Sequence, residues 1–274
     1  MLNDDALEAC EPARLRNSVY GFLAAAFRYP DQATLGMLDD ATRWNPWFEE
    51  LRQTDPALFE LLDATRATLA GSNCDNGSRS EMLQERHTEL FGHAVRGACP
   101  PYELEYERGD IPQQSAELAD IAGFYNAFGM ELHAAAHERA DHATVQFEFL
   151  SVLAAKEVYA IETDNSEGLQ VLQDAQKSFL ADHISRWVPA MATRLQDTDP
   201  DGFYGRLGGF IQAFIAAECE YFGVSCGPRL LELRTIDPQR DASIECGVEE
   251  SCPGAAPAPP EDREDFVQIG IDRV

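Results

Sequence analysis

Apolar residues recur at helical spacing along most of the chain. In residues 12–28, six apolar side chains fall on one face of a helix, and Pro12 is typical of a first helical position. Similar patterns occupy residues 56–69, 80–91, 115–129, 165–196 and 200–223. Strand-like alternation of any length is missing before residue 240. The pattern therefore predicts an all-α fold, a single helical bundle.

Turn-forming residues divide this pattern into helices. Asp55 and Pro56 are typical of an N-cap followed by a first helical residue. Pro46 and Pro189 are expected to interrupt helices. Glycine readily adopts the left-handed conformation that ends many helices. The expected stops are Gly92, Gly129 and Gly223.

The most deeply buried helix is expected between Glu138 and Glu157. Apolar residues there cover most sides of a helix, which is typical of the centre of a bundle. Polar residues interrupt the run, so it is too short and too polar to span a membrane. Its first turn carries Arg139, Asp141 and His142 beside Glu138. Asp141 is placed to act as the N-cap, and we expect the functional site near this turn.

Two parts of the chain lack the helical pattern. Residues 93–113 contain two adjacent prolines, and irregular segments of this length within a compact domain are often functional. We expect a hinge near residues 93–142. The second part, residues 241–274, is an acidic tail rich in proline and alanine, and we expect it to be largely disordered outside a helical domain of residues 1–240. Its last nine residues alternate weakly; a frayed end is the favoured interpretation, and an added strand is the alternative.

The composition is strongly acidic. Asp and Glu number 48 against 21 Lys and Arg, which gives a net charge of −27. Such a surface repels nucleic acid and anionic membranes and favours a cationic partner, although it can also serve solubility alone. The acidic N-terminus does not resemble a signal peptide. Seven scattered cysteines indicate reduced thiols, as in the cytoplasm.

Motifs for catalysis are weak. His133 and His137 are four residues apart and lie close to His142, so a metal-dependent helical enzyme that uses these histidines and nearby carboxylates is an alternative interpretation. The zincin motif is missing, however, and the cysteine pairs lack CxxC spacing. Phosphate-binding and nucleophile-elbow motifs are also missing. We therefore expect no enzyme activity, no metal and no cofactor.

A binding site is the stronger interpretation. Glu103, Glu138 and Asp141 could form an acidic mouth beside His142, and carboxylates pair with guanidinium groups in a bidentate manner. His142 should stay neutral because the positive end of a helix disfavours its protonation. Apolar walls would come from Leu90, Phe91, Tyr102 and Tyr106.

Several segments, in this order, resemble the TorD/DmsD/NarJ family of chaperones that mature molybdenum redox enzymes. The matching segments are Leu90-Phe91, Pro101-Tyr102-Glu103, the helix from Asp120 to Gly129, Glu138 to His142, and Glu148 to Glu157. The branch that serves type II dimethyl-sulfoxide-reductase-like enzymes is the most similar. The chain departs from the family pattern at His93, Leu104 and Ala140, which affects the expected loop geometry.

The resemblance implies an all-helical chaperone in the cytoplasm without catalysis of its own. Its partner would be the cofactor-free catalytic subunit of a molybdenum oxidoreductase, bound through the twin-arginine leader peptide and held back from export until the cofactor is inserted. A monomer or a weak homodimer is expected. The peptide-binding residues implied by position are Leu90, Phe91, Tyr102, Glu103, Glu138, Asp141 and His142.

Overall fold

The computed structural model of the chain describes residues 4–70, 76–92, 96–106, 111–132, 138–235 and 267–269. The helices are α1 (Asp4–Ala26), α2 (Gln32–Asp39), α3 (Ala41–Thr54), α4 (Pro56–Ala70), α5 (Asn76–Phe91), α6 (Ile111–Ala127), α7 (Ala143–Glu162), α8 (Ser166–Phe179), α9 (Ser185–Thr198) and α10 (Phe203–Phe222). Short strands are β1 (Met130–Leu132) and β2 (Val267–Ile269). The all-α prediction is confirmed. Among the described residues, no helix is both long and apolar enough to cross a membrane.

Helix α7 forms the centre of the bundle, as its apolar pattern predicts. Every side chain from Ala143 to Leu150 is buried. The ring of Phe147 lies between those of Tyr20 and Phe27, at centroid distances of 6.2 and 5.9 Å. Helix α1 packs along α7, α8 packs on α7, and α10 packs against both α4 and α9. Because burial of each large apolar side chain stabilises the fold by about 1.5–3 kcal/mol, this helix anchors the core.

Three expected helix boundaries are wrong. Helix α1 begins at Asp4 rather than at Pro12, which lies inside it. Pro46 lies inside α3, and Pro189 lies inside α9. A proline removes its own N–H donor and clashes with the preceding turn, so it weakens a helix locally. The helices continue through these prolines because packing against the rest of the bundle outweighs that cost; α1, for example, packs along α7.

The helix caps agree with the sequence prediction more closely than these boundaries do. Asp55 Oδ1 accepts the backbone N–H of Leu58 at 2.9 Å, so α4 begins where expected. Gly92, Gly129 and Gly223 all have positive φ, at 89°, 72° and 63°. The predicted glycine stops are therefore confirmed.

A π-helical turn at Leu180–Ile184 joins α8 to α9. The junction between these helices therefore lies at residues 180–184. The sequence pattern had placed it at Pro189 instead. π-helical turns are rare and are frequently found at functional sites. Here the turn carries His183, which is buried.

The chain continues beyond α10 as an extended strap, defined here as residues 224–235. The backbone N–H of Gly227 donates to the carbonyl of Ser185 at 2.9 Å, and that of Arg234 donates to the carbonyl of Glu105 at 2.8 Å. Farther on, β2 pairs in parallel with β1, with Val267 opposite Met130. An added strand, rather than a frayed end, is the observed state of residues 267–269.

Candidate functional site

The loop of residues 96–106 is fastened to the head of α7 by backbone hydrogen bonds. The N–H of Glu103 donates to the carbonyl of Asp141 at 3.1 Å, and the N–H of Ala143 donates to the carbonyl of Pro101 at 2.8 Å. Tyr102 and His142 face each other across this short antiparallel bridge. The sequence segments that carried the predicted site therefore do meet in space.

Asp141 is sealed inside the protein, with no exposed surface. Its carboxylate accepts hydrogen bonds from Arg139 Nε at 2.9 Å and from Arg139 NH2 at 2.6 Å. It also accepts the backbone N–H of Leu104 at 3.2 Å. Asp141 is not the N-cap of α7, and its acceptor positions are occupied by internal donors. Its predicted place in an open acidic mouth is thus corrected: it fastens the loop to the helix.

His142 is the N-cap of α7. Its Nδ1 accepts the backbone N–H of Thr144 at 3.1 Å, which leaves the proton of the neutral ring on Nε2. Burial lowers the pKa of His142, although the neighbouring carboxylates of Glu138 and Asp141 act in the opposite direction. The expectation that His142 is neutral agrees with this direction, with burial as the main cause.

Glu103 is also buried and belongs to an internal polar network. Its carboxylate accepts from the Gln146 side-chain amide, and its Oε1 lies 3.1 Å from His183 Nδ1. The side-chain carbonyl oxygen of Gln146 in turn accepts a hydrogen bond from Trp187 Nε1 at 3.1 Å. The other ring nitrogen of His183 lies 3.6 Å from the carboxylate of Asp120, which is longer than a hydrogen bond. His183 could not be recognised as part of this network from the sequence, because a π-helical turn leaves no recognisable pattern of residues.

Tyr102 and Glu138 are the parts of the predicted site that reach solvent. The Glu138 side chain is 41% exposed, and the Tyr102 hydroxyl donates to its carboxylate. The Arg139 guanidinium lies over the Tyr102 ring, 4.8 Å from its centroid. We call this group of three side chains the Tyr102 surface.

The remaining predicted site residues belong to the core. Leu90 and Phe91 are buried, and the Phe91 ring packs against Phe27 and Tyr204. Tyr106, the fourth predicted apolar wall, is buried beside Trp187. None of these three side chains is open to a peptide in this conformation.

Of the three histidines of the metal interpretation, the structure describes His142. His133 and His137 lie outside the described residues, and His142 is occupied as a helix cap. Within the described ranges, no group of three or more His, Cys, Asp or Glu side chains is arranged to hold a metal ion.

The chain is similar to proteins of known role along most of its length. Residues 50–193 match the model of the nitrate reductase delta subunit family. The perchlorate reductase assembly chaperone protein of Dechloromonas aromatica is 26% identical over 223 residues, which cover 80% of this chain and 95% of that protein. Chaperone protein TorD of Vibrio cholerae is 30% identical over 193 residues, 62% of this chain and 83% of TorD. The chlorate reductase assembly chaperone protein of Ideonella dechloratans is 27% identical over 139 residues, 50% of this chain and 69% of that protein.

The helical bundle, with its loop fastened to the central helix, places the molecule in the class of all-helical bundle proteins. Within that class, the chain belongs to the nitrate reductase delta subunit family, the family of TorD- and NarJ-type chaperones. The matched relatives are named as assembly chaperones and not as catalysts. The alternative of a metal-dependent enzyme has no support among them.

Proposed function

We propose that this protein is a dedicated assembly chaperone for the catalytic subunit of a molybdenum-containing oxidoreductase. It binds the cofactor-free subunit in the cytoplasm and delays export until the cofactor is in place. The observation that carries the proposal is the match to an assembly chaperone over 95% of that relative's length. The protein acts as a monomer or a weak homodimer and holds no cofactor of its own.

The segment of the client that we propose the protein binds is its twin-arginine leader peptide. A net charge of −27 attracts a cationic segment. Glu138 on the Tyr102 surface is partly exposed and can accept from a guanidinium group. Asp141, His142 and Glu103 contribute by holding the loop that presents Tyr102. Leu90 and Phe91 contribute by packing the core beneath it.

Capture of the client tests the chaperone role. The tagged protein, purified from cells that are making the reductase, should retain the catalytic subunit with far less than one molybdenum per chain by elemental analysis. The mature enzyme, offered separately, should not be retained. Equal retention of mature and cofactor-free subunits would contradict the proposal, and so would retention of neither.

Fluorescence anisotropy with a labelled leader tests whether the protein binds the leader through Glu138. A twin-arginine leader should bind more tightly than its twin-lysine counterpart, because only the guanidinium group pairs with a carboxylate in a bidentate manner. Glu138→Gln should weaken binding about threefold to tenfold, since an interaction of this kind is worth roughly 1 kcal/mol at a partly exposed site. Glu220→Gln, which removes an exposed charge at the end of α10, is the matched control. Equal affinities in both variants would remove Glu138 from the site.

A further inference from the structure

A groove with a volume of about 640 Å³ lies between the end of α4, one face of α5 and the corner that leads from α9 into α10. Its size falls in the range of ligand-binding clefts. Apolar side chains form its floor: Leu69, Leu83, Phe203 and Tyr204. Met82 stands in it with 49% of its surface exposed, an unusual position for a large apolar side chain in a polar helix.

The two cations of the groove are already engaged. Arg79 donates to both carboxylate oxygens of Asp39, at 2.7 and 2.8 Å. Arg86 donates to Asp199 at 3.0 Å and to Glu89 at 2.7 Å, and its remaining nitrogen donates to a backbone carbonyl. Both guanidinium groups therefore have their charge balanced by carboxylates of this chain.

The exposed charges along the groove are negative. Glu85 is exposed, and the side chains of Glu89 and Asp201 are 55% and 94% exposed. Asp201 lies 3.4 Å from Arg206, but both side chains are so exposed that solvent screens the pair. Glu89 is shared with Arg86, so Glu85 is the rim carboxylate without an ion pair among the described contacts. An apolar floor bordered by exposed carboxylates complements a peptide that carries apolar and cationic side chains together.

On the floor of the groove, the Tyr204 ring contacts the ring of His87, at a centroid distance of 6.0 Å. Helix α5 therefore lines the groove and also carries His87, which packs beneath it.

We propose that this groove is the docking site for the client's leader peptide. An apolar leader side chain packs on Met82 and Phe203, and a leader arginine pairs with Glu85 at the rim. The proposal rests on the proposed function and specifies where on the chaperone the leader binds.

Two pairs of substitutions, each with a matched control, test whether the leader docks in the groove. Glu85→Lys reverses a rim charge and should weaken binding of the twin-arginine leader at least about tenfold, because it replaces attraction by repulsion. Glu81→Lys makes the same change on an exposed residue of α5 that does not line the groove, and it should change affinity much less. Met82→Ser should also weaken binding, whereas Leu61→Ser, at an exposed leucine of α4, should not. Circular dichroism confirms that each variant is folded.

The outcomes separate the groove from the chaperone role. Normal leader binding by the Glu85→Lys and Met82→Ser variants would overturn the groove and leave the proposed function intact. No binding of the leader to the unaltered protein, with the cofactor-free subunit still retained, would overturn the leader as the occupant. Selective loss in the groove variants, with unchanged controls, supports the proposal.

A second, independent observation concerns two cysteines at the end of α10. Cys219 Sγ and Cys226 Sγ lie 2.8 Å apart, against about 2.05 Å for a disulfide bond. Cys219 is buried in the last turn of α10, and Cys226 is exposed in the strap. Burial raises the pKa of the Cys219 thiol to about 12, so the exposed Cys226 is the thiol that an oxidant meets first.

We propose that this pair forms an intramolecular disulfide by exchange with a small disulfide such as oxidised glutathione. The Cys226 thiolate attacks one sulfur of the oxidant and releases one glutathione thiolate. Cys219, on losing its proton, then attacks Cys226 Sγ and releases the second. The two protons from the protein thiols go to the two leaving thiolates. The new bond fastens the strap to α10.

Mass spectrometry tests whether Cys219 and Cys226 form this disulfide bond. After incubation with excess oxidised glutathione and alkylation, Cys219 and Cys226 should be found in one cross-linked peptide, with a mass lower by two hydrogens. The buried cysteines Cys10 and Cys99 should remain reduced, and Cys219→Ser should leave Cys226 as a stable mixed disulfide. Alkylation of both thiols in the unaltered protein, or a persistent mixed disulfide there, would overturn the proposal.

Discussion

At the scale of single residues, burial decides what a charged side chain does. Asp141 and Glu103 look in the sequence like members of an acidic site, yet both are fully buried and bonded to internal partners. A buried carboxylate is tolerated only where donors surround it. Glu148 behaves in the same way, since its carboxylate lies 3.5 Å from the Arg28 guanidinium. These buried acids hold neighbouring segments of the fold together. Glu138, which is partly exposed, remains available to a ligand.

We expect Asp141→Asn to lower the free energy of unfolding by about 1–3 kcal/mol, because the neutral amide leaves a buried polar group imperfectly satisfied. Arg139 would lose its charged partner, and the Leu104 N–H would keep a weaker acceptor. Urea unfolding measures the change. Leader affinity should fall only to the extent that the loop is displaced; a large loss of affinity at unchanged stability would mean that Asp141 contacts the client directly.

Glu218 gives the protein a specific pH dependence. Burial raises its pKa to about 7, and the Tyr20 hydroxyl donates to it at 2.7 Å. Between the unfolded pKa of 4.5 and the folded pKa of about 7, the folded state binds more protons than the unfolded state, so this contribution to stability is lost as pH rises through the folded pKa.

Replacement of Glu218 by Gln should remove that loss. The variant should match the unaltered protein near pH 5 and exceed its free energy of unfolding by roughly 1–3 kcal/mol near pH 8.5, where the buried carboxyl would otherwise ionise. Urea unfolding at both pH values measures this difference. Glu220→Gln, at an exposed site, should show no such difference; equal stability of Glu218→Gln and the unaltered protein at high pH would refute the interpretation.

At the scale of elements, local signals predicted the helix ends better than the helix interruptions. Glycine stops and the Asp55 cap depend on the conformation and hydrogen bonds of a few neighbouring residues, so they can be read from sequence. Pro12 was misread as the start of a helix, and Pro46 and Pro189 were misread as breaks, because packing against other helices outweighs a missing hydrogen bond. The π-helical turn at Leu180–Ile184 also depends on tertiary contacts, which place His183 beside Glu103.

The contact between α9 and α10 offers a paired test. A Cβ at Gly208 would lie 2.6 Å from the carbonyl oxygen of Ala192, whereas one at Gly209 would meet nothing closer than 3.8 Å. Gly208→Ala should destabilise the protein by about 1–3 kcal/mol through overpacking. Gly209→Ala should instead stabilise it by up to about 1 kcal/mol through helix propensity. Thermal unfolding measures both; equal effects would mean that the helices are less closely packed.

At the scale of the whole molecule, net charge and the C-terminal extension matter most. The charge acts over a distance set by salt, about 8 Å at physiological ionic strength. We expect the association rate of a twin-arginine leader to fall steeply between low and high salt, with little change in the dissociation rate. Stopped-flow mixing measures both rates. A leader with both arginines replaced by glutamine is the control, and an association rate independent of salt would contradict electrostatic attraction.

The extension competes with the client in our interpretation. β2 pairs with β1, which lies a few residues before Glu138. Deletion of residues 247–274 should then raise leader affinity several-fold, because the competent surface is no longer partly occupied. Deletion of residues 271–274 alone keeps β2 and is the control. Unchanged affinity after the longer deletion would show that the tail does not cover the binding surface.

The sequence by itself determined the fold class, the central position of α7 and the family. Periodicity and caps are local properties, and the ordered motifs survive as a pattern of residue types. Only the tertiary structure decided which acids are exposed, because burial depends on segments far apart in the chain. Glu103 meets His183 across 80 residues, and the groove is assembled from α4, α5 and the corner before α10. A ligand contacts the surface that packing leaves open, and helical periodicity does not specify that surface.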